Sequence, residues 1–350
     1  MEHQSFNLGE HSHTRLNILT GEYILVSPHR AKRPWNGKLE DEIPNIRPVY
    51  DEKCYLCPNN ERVGGKINPD YKGTYVFIND FSALENNVSK GEININNLLV
   101  AKSEKGICKV ICFSEKHNLT IPEMNLNQIK NVVDVWQNEF NETSKNPDIK
   151  HIQIFENKGE IMGCSNPHPH GQIWSQSSIP VEIIKEIDRQ EEYFLQNNKS
   201  LLGDYLELEL REEKRIIYQN DNFVALVPFW AIWPYETMII SKKHMQNISK
   251  LDNKEKLDLA DCIKVLTTKY DNLFKISFPY SAGLHQAPLD KEYKGWHFHI
   301  HFYPPLLRSA TVKKFMVGYE LLCNPQRDIT AEYSAEVLRN LTQVYYIKQR

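Results

Sequence analysis

The sequence predicts an α+β protein built from two tandem copies of one structural unit. Three observations support this fold class. Strand-like and helix-like patterns alternate along the chain, landmark motifs occur twice in the same order, and each series of landmarks ends on a strand that carries histidine at alternate positions. The 350 residues suit about two domains, and we expect an N-terminal half over 1–177 and a C-terminal half over 178–350.

Short strands come first in the N-terminal half. A Thr-Gly pair separates strand-like runs at 15–19 and 22–27, which predicts a hairpin, and the proline- and charge-rich stretch 28–48 is expected to be a loop. Two further strands are predicted at 73–79 and 106–114.

The next elements combine helices with strands. Apolar residues at helical spacing predict a helix over about 125–144, and strands are expected at 150–156 and 168–175. The helical pattern returns near 181–194 and at 331–346.

An internal repeat is the clearest sign of duplication. The run NDFSAL at 79–84 is matched by NDNFVAL at 220–226, and VICFSEKH at 110–117 is matched by MIISKKH at 238–244. An amphipathic helix follows each pair of landmarks. Order and spacing agree, which favours duplication of one α+β unit over chance. The apolar stripe of the second helix consists of Leu259, Ile263, Leu266, Tyr270 and Leu273.

Each half closes on a strand with alternate histidines, HPHGQ at 168–172 and HFHIH at 297–301. Side chains at i, i+2 and i+4 line one face of a strand, so each set of three points the same way. A lone histidine is usually a polar group on a strand surface. Several imidazoles on one face instead indicate a metal site or a catalytic site.

The first histidine strand has features that suit a phosphoryl group. Gly163 and Gly171 allow the backbone to approach a ligand closely, and exposed backbone amides can bind phosphoryl oxygens. A neutral imidazole can attack phosphorus, because its ordinary pKa of about 6.5 leaves much of it unprotonated at pH 7. Gln172 can donate a hydrogen bond to a phosphate oxygen but cannot act as an acid.

Composition and charge exclude several function classes. The formal net charge of −3 provides no positive field that would attract nucleic acid or an anionic membrane. No apolar run approaches the roughly 20 residues of a membrane span, and the N-terminal residues lack a signal-peptide core. The 7 cysteines, an odd number without a secretory context, are expected to be reduced, and we expect a cytoplasmic protein.

Cys54 and Cys57 form a C-x₂-C pair. Two thiolates at this spacing can bind Zn²⁺, but two ligands do not complete a site. The spacing alone leaves a metal site and a redox or buried pair equally open.

Several long motifs together resemble the galactose-1-phosphate uridylyltransferase family, a branch of the histidine-triad superfamily. They are LVSPHRAKRPW at 25–35, FENKG at 155–159, MGCSNPHPHGQIW at 162–174 and HFYPPLLRSATV at 301–312. The likeness extends over nearly the whole chain, with the motifs in the family's order. It implies two histidine-triad-like halves, each an antiparallel half-barrel sheet with packed helices.

The resemblance also implies an activity. The position of His170 is the family's nucleophile, which attacks the α-phosphorus of UDP-glucose and releases glucose 1-phosphate. Galactose 1-phosphate then accepts the uridylyl group and yields UDP-galactose, a ping-pong reaction of galactose metabolism. Related hydrolases carry histidine at the position of Gln172, so glutamine there implies transfer to a sugar phosphate rather than to water.

The family pattern implies two structural metal sites. A zinc site would consist of Cys54, Cys57, His117 and His168, and a second site, for iron or zinc, of Glu186, His285, His299 and His301. Glu182 lies one helical turn from Glu186, which leaves the choice of carboxylate open. The loop 288–295 is slightly short, which puts in doubt how His285 meets the other two histidines. His244 and His297 are expected to be packing or hydrogen-bonding groups.

Substrate contacts are implied residue by residue. Phosphate would be bound by Arg30, Arg33, Asn157, Ser165 and Gln172, and the uracil and ribose by Val63, Asn79 and Asp80. The hexose would be bound by Lys314, Phe315, Val317, Tyr319, Glu320 and Gln326. These C-terminal residues reach the neighbouring subunit's site in the family, which implies a homodimer. Without the resemblance, 311–322 is simply an amphipathic helix.

Two alternatives remain from the sequence. One is a nucleoside-diphosphate-sugar phosphorylase or hydrolase on the same scaffold; Gln172 opposes hydrolysis, and the C-terminal match opposes an adenylyl phosphorylase. The other is a non-catalytic, zinc-dependent nucleotide-binding module.

Overall fold

The computed structural model describes residues 5–32, 47–307 and 309–349. The described strands are β1 (His13–Leu16), β2 (Tyr23–Val26), β3 (Tyr75–Ile78), β4 (Glu92–Ile95), β5 (Leu99–Lys102), β6 (Gly106–Cys112), β7 (His151–Lys158), β8 (His170–Gln176), β9 (Ile216–Gln219), β10 (Phe223–Leu226), β11 (Thr237–Ser241), β12 (Tyr280–His285), β13 (His299–Tyr303) and β14 (Gln326–Arg327). The described α-helices are α1 (Leu126–Thr143), α2 (Val181–Asn197), α3 (Leu201–Glu212), α4 (Asn253–Phe274), α5 (Tyr319–Leu322) and α6 (Ala331–Asn340).

A nine-stranded antiparallel sheet organises the molecule, in the order β3-β6-β8-β7-β12-β13-β11-β10-β9. Its centre is the pair β7–β12. Outward from this pair, β8, β6 and β3 follow on one side, and β13, β11, β10 and β9 follow on the other. The predicted α+β class is confirmed, and the two series of strands form one continuous sheet.

The long helices α1 and α4 pack against each other and contribute to the largest hydrophobic core. Each begins with a capping box, Asn125 with Gln128 and Asp252 with Glu255, which satisfies backbone N–H groups that have no partner within the helix. The predicted apolar stripes are buried, except that Leu273 at the end of the α4 stripe is only partly buried. The buried members are Ile129, Val132, Val133, Trp136 and Phe140 of α1, and Leu259, Ile263, Leu266 and Tyr270 of α4. None of the described helices combines the length and apolar character that a bilayer-spanning helix needs.

Two smaller β structures lie outside the large sheet. β4 and β5 form an exposed hairpin. β1 and β2 form the predicted N-terminal hairpin, and β14 from the C-terminal half pairs in parallel with β2. This pairing joins the N-terminal hairpin to the C-terminal half, a contact that the strand patterns did not indicate.

Most predicted elements are present, with ends displaced by one to a few residues. The helix expected over 311–322 from the residues alone is wrong: only Tyr319–Leu322 is helical. The preceding residues instead turn back, since the Lys314 N–H donates to the Pro305 carbonyl at 2.6 Å, and Gly318 has a φ of 54°. The predicted helix at 331–346 is also too long, because α6 ends at Asn340 and only a 3₁₀ turn, Tyr346–Gln349, follows. Helix α3 and the β4–β5 hairpin were not predicted.

A buried lysine holds the end of α6 in place. Lys269 of α4 is only 2% exposed and donates to the carbonyls of Leu338, Arg339 and Leu341. The last carbonyls of a helix have no partner within it, so this ammonium supplies the missing donors. Asn272, one turn later, donates to the Thr342 carbonyl at 2.9 Å.

We expect Lys269→Met to destabilise the protein. The methionine fills a similar volume but leaves three carbonyls without this donor, which should lower the free energy of unfolding by about 1–3 kcal/mol in denaturant titration. Lys254→Met on the same helix removes only an exposed ion pair with Asp221 and serves as the control. Equal stability of the two variants would contradict the capping role of Lys269.

Candidate active site and metal centres

Strand β8 carries the candidate nucleophile between β6 and β7. His170, Gln172 and Trp174 alternate with Gly171 and Ile173, and only Ile173 belongs to the core beneath the sheet. Gly171 is required for close packing, because a Cβ there would lie 2.8 Å from the Phe113 ring and 2.9 Å from the Phe155 carbonyl oxygen. The strand thus presents its polar side chains on the face away from α1 and α4.

A cavity of about 320 Å³ opens over this face. It is lined by Tyr55, Leu56, Val63, Phe77, Asn79, Asp80, Phe81, Val110, Asn157, Gly163, Cys164, Ser165, His170, Gly171 and Gln172. The cavity therefore brings together the candidate catalytic residues His170 and Gln172 and five further predicted contacts, Val63, Asn79, Asp80, Asn157 and Ser165. The apolar part of the lining was not predicted, although Phe77 and Phe81 lie within two residues of the Asn79-Asp80 pair in the sequence.

The imidazole of His170 is held in one tautomer. Its Nδ1–H donates to the His168 carbonyl oxygen at 2.8 Å, so the Nε2 lone pair is available to the cavity. Burial lowers the pKa of His170 below its ordinary range, which favours the neutral ring. A neutral, fixed imidazole beside a polar cavity is suited to nucleophilic attack on an electrophilic phosphorus.

Asp80 lines the cavity and forms ion pairs with two basic side chains. Arg62 approaches one carboxylate oxygen at 3.4 Å and Lys66 the other at 3.2 Å. The Arg62 guanidinium also lies 3.8 Å from the centre of the Phe77 ring. A carboxylate held in this way can accept hydrogen bonds from a pair of sugar hydroxyls.

The four residues of the predicted zinc site converge. Cys54, Cys57, His117 and His168 are all buried, and their potential ligand atoms lie within 4.8 Å of one another. The Cys57 sulfur is 3.8 Å from Nδ1 of His117 and 3.6 Å from Nδ1 of His168. Distances of this size are expected between ligand atoms that bind the same tetrahedral metal ion.

The orientation of His168 agrees with metal binding through Nδ1. Its Nε2 lies 2.8 Å from the Ser114 carbonyl oxygen, so Nε2–H can donate there and Nδ1 keeps its lone pair. Burial lowers the pKa of His168 to about 4, and the ring is therefore neutral at pH 7, as a metal ligand must be. The buried cluster fits a metal ion.

A second cluster forms between α2, β12 and β13. Glu186, His285, His299 and His301 present ligand atoms within 4.8 Å of one another. Glu186 Oε1 lies 2.8 Å from His285 Nδ1, and its buried Oε2 lies 3.4 Å from His299 Nε2. Four buried polar atoms of this cluster have no hydrogen-bond partner among the described residues: Glu186 Oε2, His299 Nε2 and both ring nitrogens of His301. A bound cation would supply a partner for atoms of this kind.

The structure answers two questions about this second cluster. Glu186 is buried among the histidines, whereas Glu182 is exposed and pairs with Lys185 at 2.9 Å. The short loop 288–295 does not keep the histidines apart, because the ring centres of His285 and His301 are 4.4 Å apart.

The two histidines without an assigned ligand role make hydrogen bonds. His297 bonds to the Ser200 hydroxyl through Nδ1 and to the Ser241 carbonyl through Nε2, both at 2.7 Å. His244 Nε2 bonds to the Trp296 carbonyl at 3.0 Å. His297 lies two residues before the start of β13, as His168 lies two residues before the start of β8, and the Nδ1–H of His299 donates to its carbonyl at 2.8 Å.

The predicted hexose-binding residues form a separate cavity, also of about 320 Å³. Its lining includes Lys314, Phe315, Val317, Glu320 and Gln326, but not Tyr319. It shares no lining residue with the cavity of His170. Within one chain, the structure therefore does not bring the two predicted groups of substrate contacts together.

Arg30, one of the two predicted phosphate-binding arginines, does not line the cavity of His170. Arg30 pairs with Asp328 at 3.3 Å, and Asp328 lines the second cavity. Arg33 lies outside the described residues.

Comparisons with known proteins agree over the whole chain. Sequence models of the N-terminal and C-terminal domains of galactose-1-phosphate uridyl transferase match residues 4–180 and 186–350. The galactose-1-phosphate uridylyltransferase of Kluyveromyces lactis is 52% identical and covers 98% of this chain and 97% of its own length. The corresponding protein of Haemophilus influenzae is 49% identical and covers 97% of both.

Solved structures give the same result for the fold. A uridylyltransferase structure superposes with a TM-score of 0.74 at 26% identity, over 93% of this chain and 97% of that chain. An ADP-glucose phosphorylase from Arabidopsis thaliana shares the fold with a TM-score of 0.74 at 22% identity, over 95% of this chain and 100% of that chain. The matches to both domain models and to full-length relatives show that this chain belongs to the galactose-1-phosphate uridyl transferase family.

Proposed function

We propose that this protein is a UDP-glucose–hexose-1-phosphate uridylyltransferase that transfers UMP through a covalent uridylyl-His170. Relatives about half identical to it over their full length carry the name galactose-1-phosphate uridylyltransferase. The observation that carries the proposal is the geometry of His170. Its Nδ1–H donates to the His168 carbonyl, and its free Nε2 meets the cavity that six predicted nucleotide and phosphate contacts also line.

The reaction has two balanced steps. In the first, the Nε2 lone pair of His170 forms a bond to the α-phosphorus of UDP-glucose, and the bond from that phosphorus to the bridging oxygen breaks. Glucose 1-phosphate leaves with that electron pair. In the second, a phosphate oxygen of galactose 1-phosphate attacks the same phosphorus, the N–P bond breaks, and UDP-galactose leaves. The Nδ1–H bond to the His168 carbonyl persists throughout and stabilises the positive charge of the uridylylated ring.

The surrounding residues have separate tasks in this proposal. Asn157, Ser165 and Gln172 donate to phosphoryl oxygens, and Asp80 accepts from the ribose hydroxyls while Arg62 and Lys66 hold its carboxylate. The Gln172 amide can neither donate a proton to a leaving group nor accept one from water. Transfer of the uridylyl group to the sugar phosphate is therefore favoured over its hydrolysis by water.

The buried clusters would hold two structural metal ions. Cys54, Cys57, His117 and His168 suit Zn²⁺, with two sulfur and two nitrogen ligands that close a tetrahedron. Three imidazoles and a carboxylate suit iron or zinc at Glu186, His285, His299 and His301. The first ion would anchor the chain two residues before the nucleophile. A cytoplasmic location would keep both thiols reduced and able to bind the ion.

A homodimer would complete the hexose site. The second cavity contains Lys314, Glu320 and Gln326, which offer the donors and acceptors that sugar hydroxyls need, but it is separate from the cavity of His170. In a dimer, this cluster of one subunit would meet the nucleotide cavity of the other. We place the boundary between the two halves of each subunit at 177/178, after β8 and before α2.

The covalent intermediate provides the direct test of function. Protein incubated with UDP-glucose labelled in the uracil and then denatured should retain the label on His170. His170→Ala should retain none and lose turnover by at least about a thousand-fold, because the nucleophile is missing. Its thermal midpoint should change little, since the side chain is only half-buried on the cavity face. Wild-type protein that contains both metals but takes up no label would refute the proposal.

Metal analysis tests the ligand assignment. His168→Ala should lose one equivalent of zinc per chain in plasma mass spectrometry, because one of four ligands is removed. His297→Ala is the matched control, since its ring bonds to Ser200 and Ser241 and lies outside both clusters. A His168→Ala protein with its full metal content would show that the first cluster is not the zinc site.

Mixed dimers test the sharing of sites. One subunit carries His170→Ala, and the other carries Phe315→Ala with Gln326→Ala in the hexose cluster; each homodimer should be nearly inactive. Co-expressed subunits that pair at random should recover about a quarter of wild-type turnover, because half of the dimers then contain one intact composite site. If each chain instead built its site alone, the mixture would remain as inactive as its components.

A further inference from the structure

A hydrogen bond within β8 sets the direction of the Gln172 amide. Trp174 Nε1 lies 3.0 Å from Gln172 Oε1, between residues two apart on the same strand face. The indole is itself held, because its ring packs edge-on against Phe155 with ring centres 5.9 Å apart. Phe155 in turn pairs with Gln172 across β7 and β8.

The chemistry of indole makes this orientation unambiguous. Indole N–H can only donate, so the amide atom that faces Trp174 must be the carbonyl oxygen. The Gln172 NH₂ group is then directed away from Trp174, and in the described part of the chain no acceptor bonds to it. Gln172 lines the cavity of His170, so its amide is available there as a donor.

A second amide in the cavity is arranged in the same sense. The Ser281 hydroxyl of β12 donates to Asn157 Oδ1 at 2.6 Å, from the position directly opposite Asn157 in the β7–β12 ladder. With its oxygen occupied, Asn157 also presents its NH₂ group. A hydroxyl can donate or accept, so this constraint is weaker than that of the indole.

We propose that Trp174 is a positioning residue, whose N–H holds Gln172 as a hydrogen-bond donor toward the phosphoryl oxygens during transfer. The inference rests on the proposed function and extends it to a residue that does not line the cavity. A rotated amide would turn its carbonyl oxygen toward the negatively charged phosphoryl group and leave the half-buried indole without an acceptor. Donors already aimed at developing charge need no reorganisation during the reaction.

Trp174→Phe separates this role from simple packing. Phenylalanine keeps an aromatic ring against Phe155 but has no N–H. We expect the single-turnover rate of uridylyl-His170 formation to fall about three- to ten-fold, the effect of one lost hydrogen bond, with a smaller change in affinity for UDP-glucose. Trp136→Phe in α1 is the matched control, because its buried indole N–H has no described partner. An adduct rate for Trp174→Phe equal to that of Trp136→Phe would overturn the proposal.

A double-mutant cycle connects the effect to Gln172. In a Gln172→Ala background, Trp174→Phe should cause no further loss of rate, since the amide that it orients is absent. The same fold-loss in both backgrounds would show that Trp174 acts by another route and would reject the positioning role.

Binding of UDP keeps this test independent of the proposed function. If the wild-type protein forms no adduct, the transferase proposal fails, and calorimetric titration with UDP then decides the positioning role. Weaker UDP binding by Trp174→Phe only when Gln172 is present would support it. Unchanged affinity, or the same loss in the Gln172→Ala background, would contradict it.

Discussion

The pairing of β7 with β12 is the interaction on which the rest of the molecule depends. Five residue pairs, from Tyr280 with Lys158 to Leu284 with Ile154, join the strands of the two halves into one sheet. The two histidine strands, β8 and β13, are the next neighbours on either side. This arrangement places the candidate nucleophile and the second metal cluster in one hydrogen-bonded frame. It also allows Ser281 to reach Asn157 in the cavity of the other half.

The same imidazole geometry occurs on both sides of that pair, in two different surroundings. His170 donates through Nδ1 to the His168 carbonyl, and His299 donates through Nδ1 to the His297 carbonyl, each at 2.8 Å. In both cases Nε2 keeps its lone pair. The outcome depends on what meets that nitrogen: an open polar cavity at His170, and the carboxylate of Glu186 at 3.4 Å for His299. A local structure that occurs twice therefore meets different groups, because different elements pack against each copy.

The closure of the chain on itself separates the two cavities. β14 pairs with β2, and Arg15 of β1 forms an ion pair with Glu332 of α6 at 3.0 Å. This closure places residues 314–326 beside the N-terminal hairpin instead of over His170. Arg30 also lies near the second cavity, because it forms an ion pair with Asp328, which lines that cavity. The geometry explains why a second subunit is needed in our proposal to unite nucleotide and sugar phosphate.

The sequence by itself determined the α+β class, half of the described strands, most of the described helices, and the family. Apolar periodicity records which face of an element is buried, and the histidine strands and motifs are contiguous in sequence. Only the tertiary structure showed that the nine strands form one sheet, that Glu186 rather than Glu182 meets the histidines, and that the Trp174 indole N–H donates to Gln172. It also replaced the helix expected over 311–322 with a turn and a short helix. Backbone hydrogen bonds between distant strands are nearly independent of side-chain identity, so local patterns cannot specify which strands will pair.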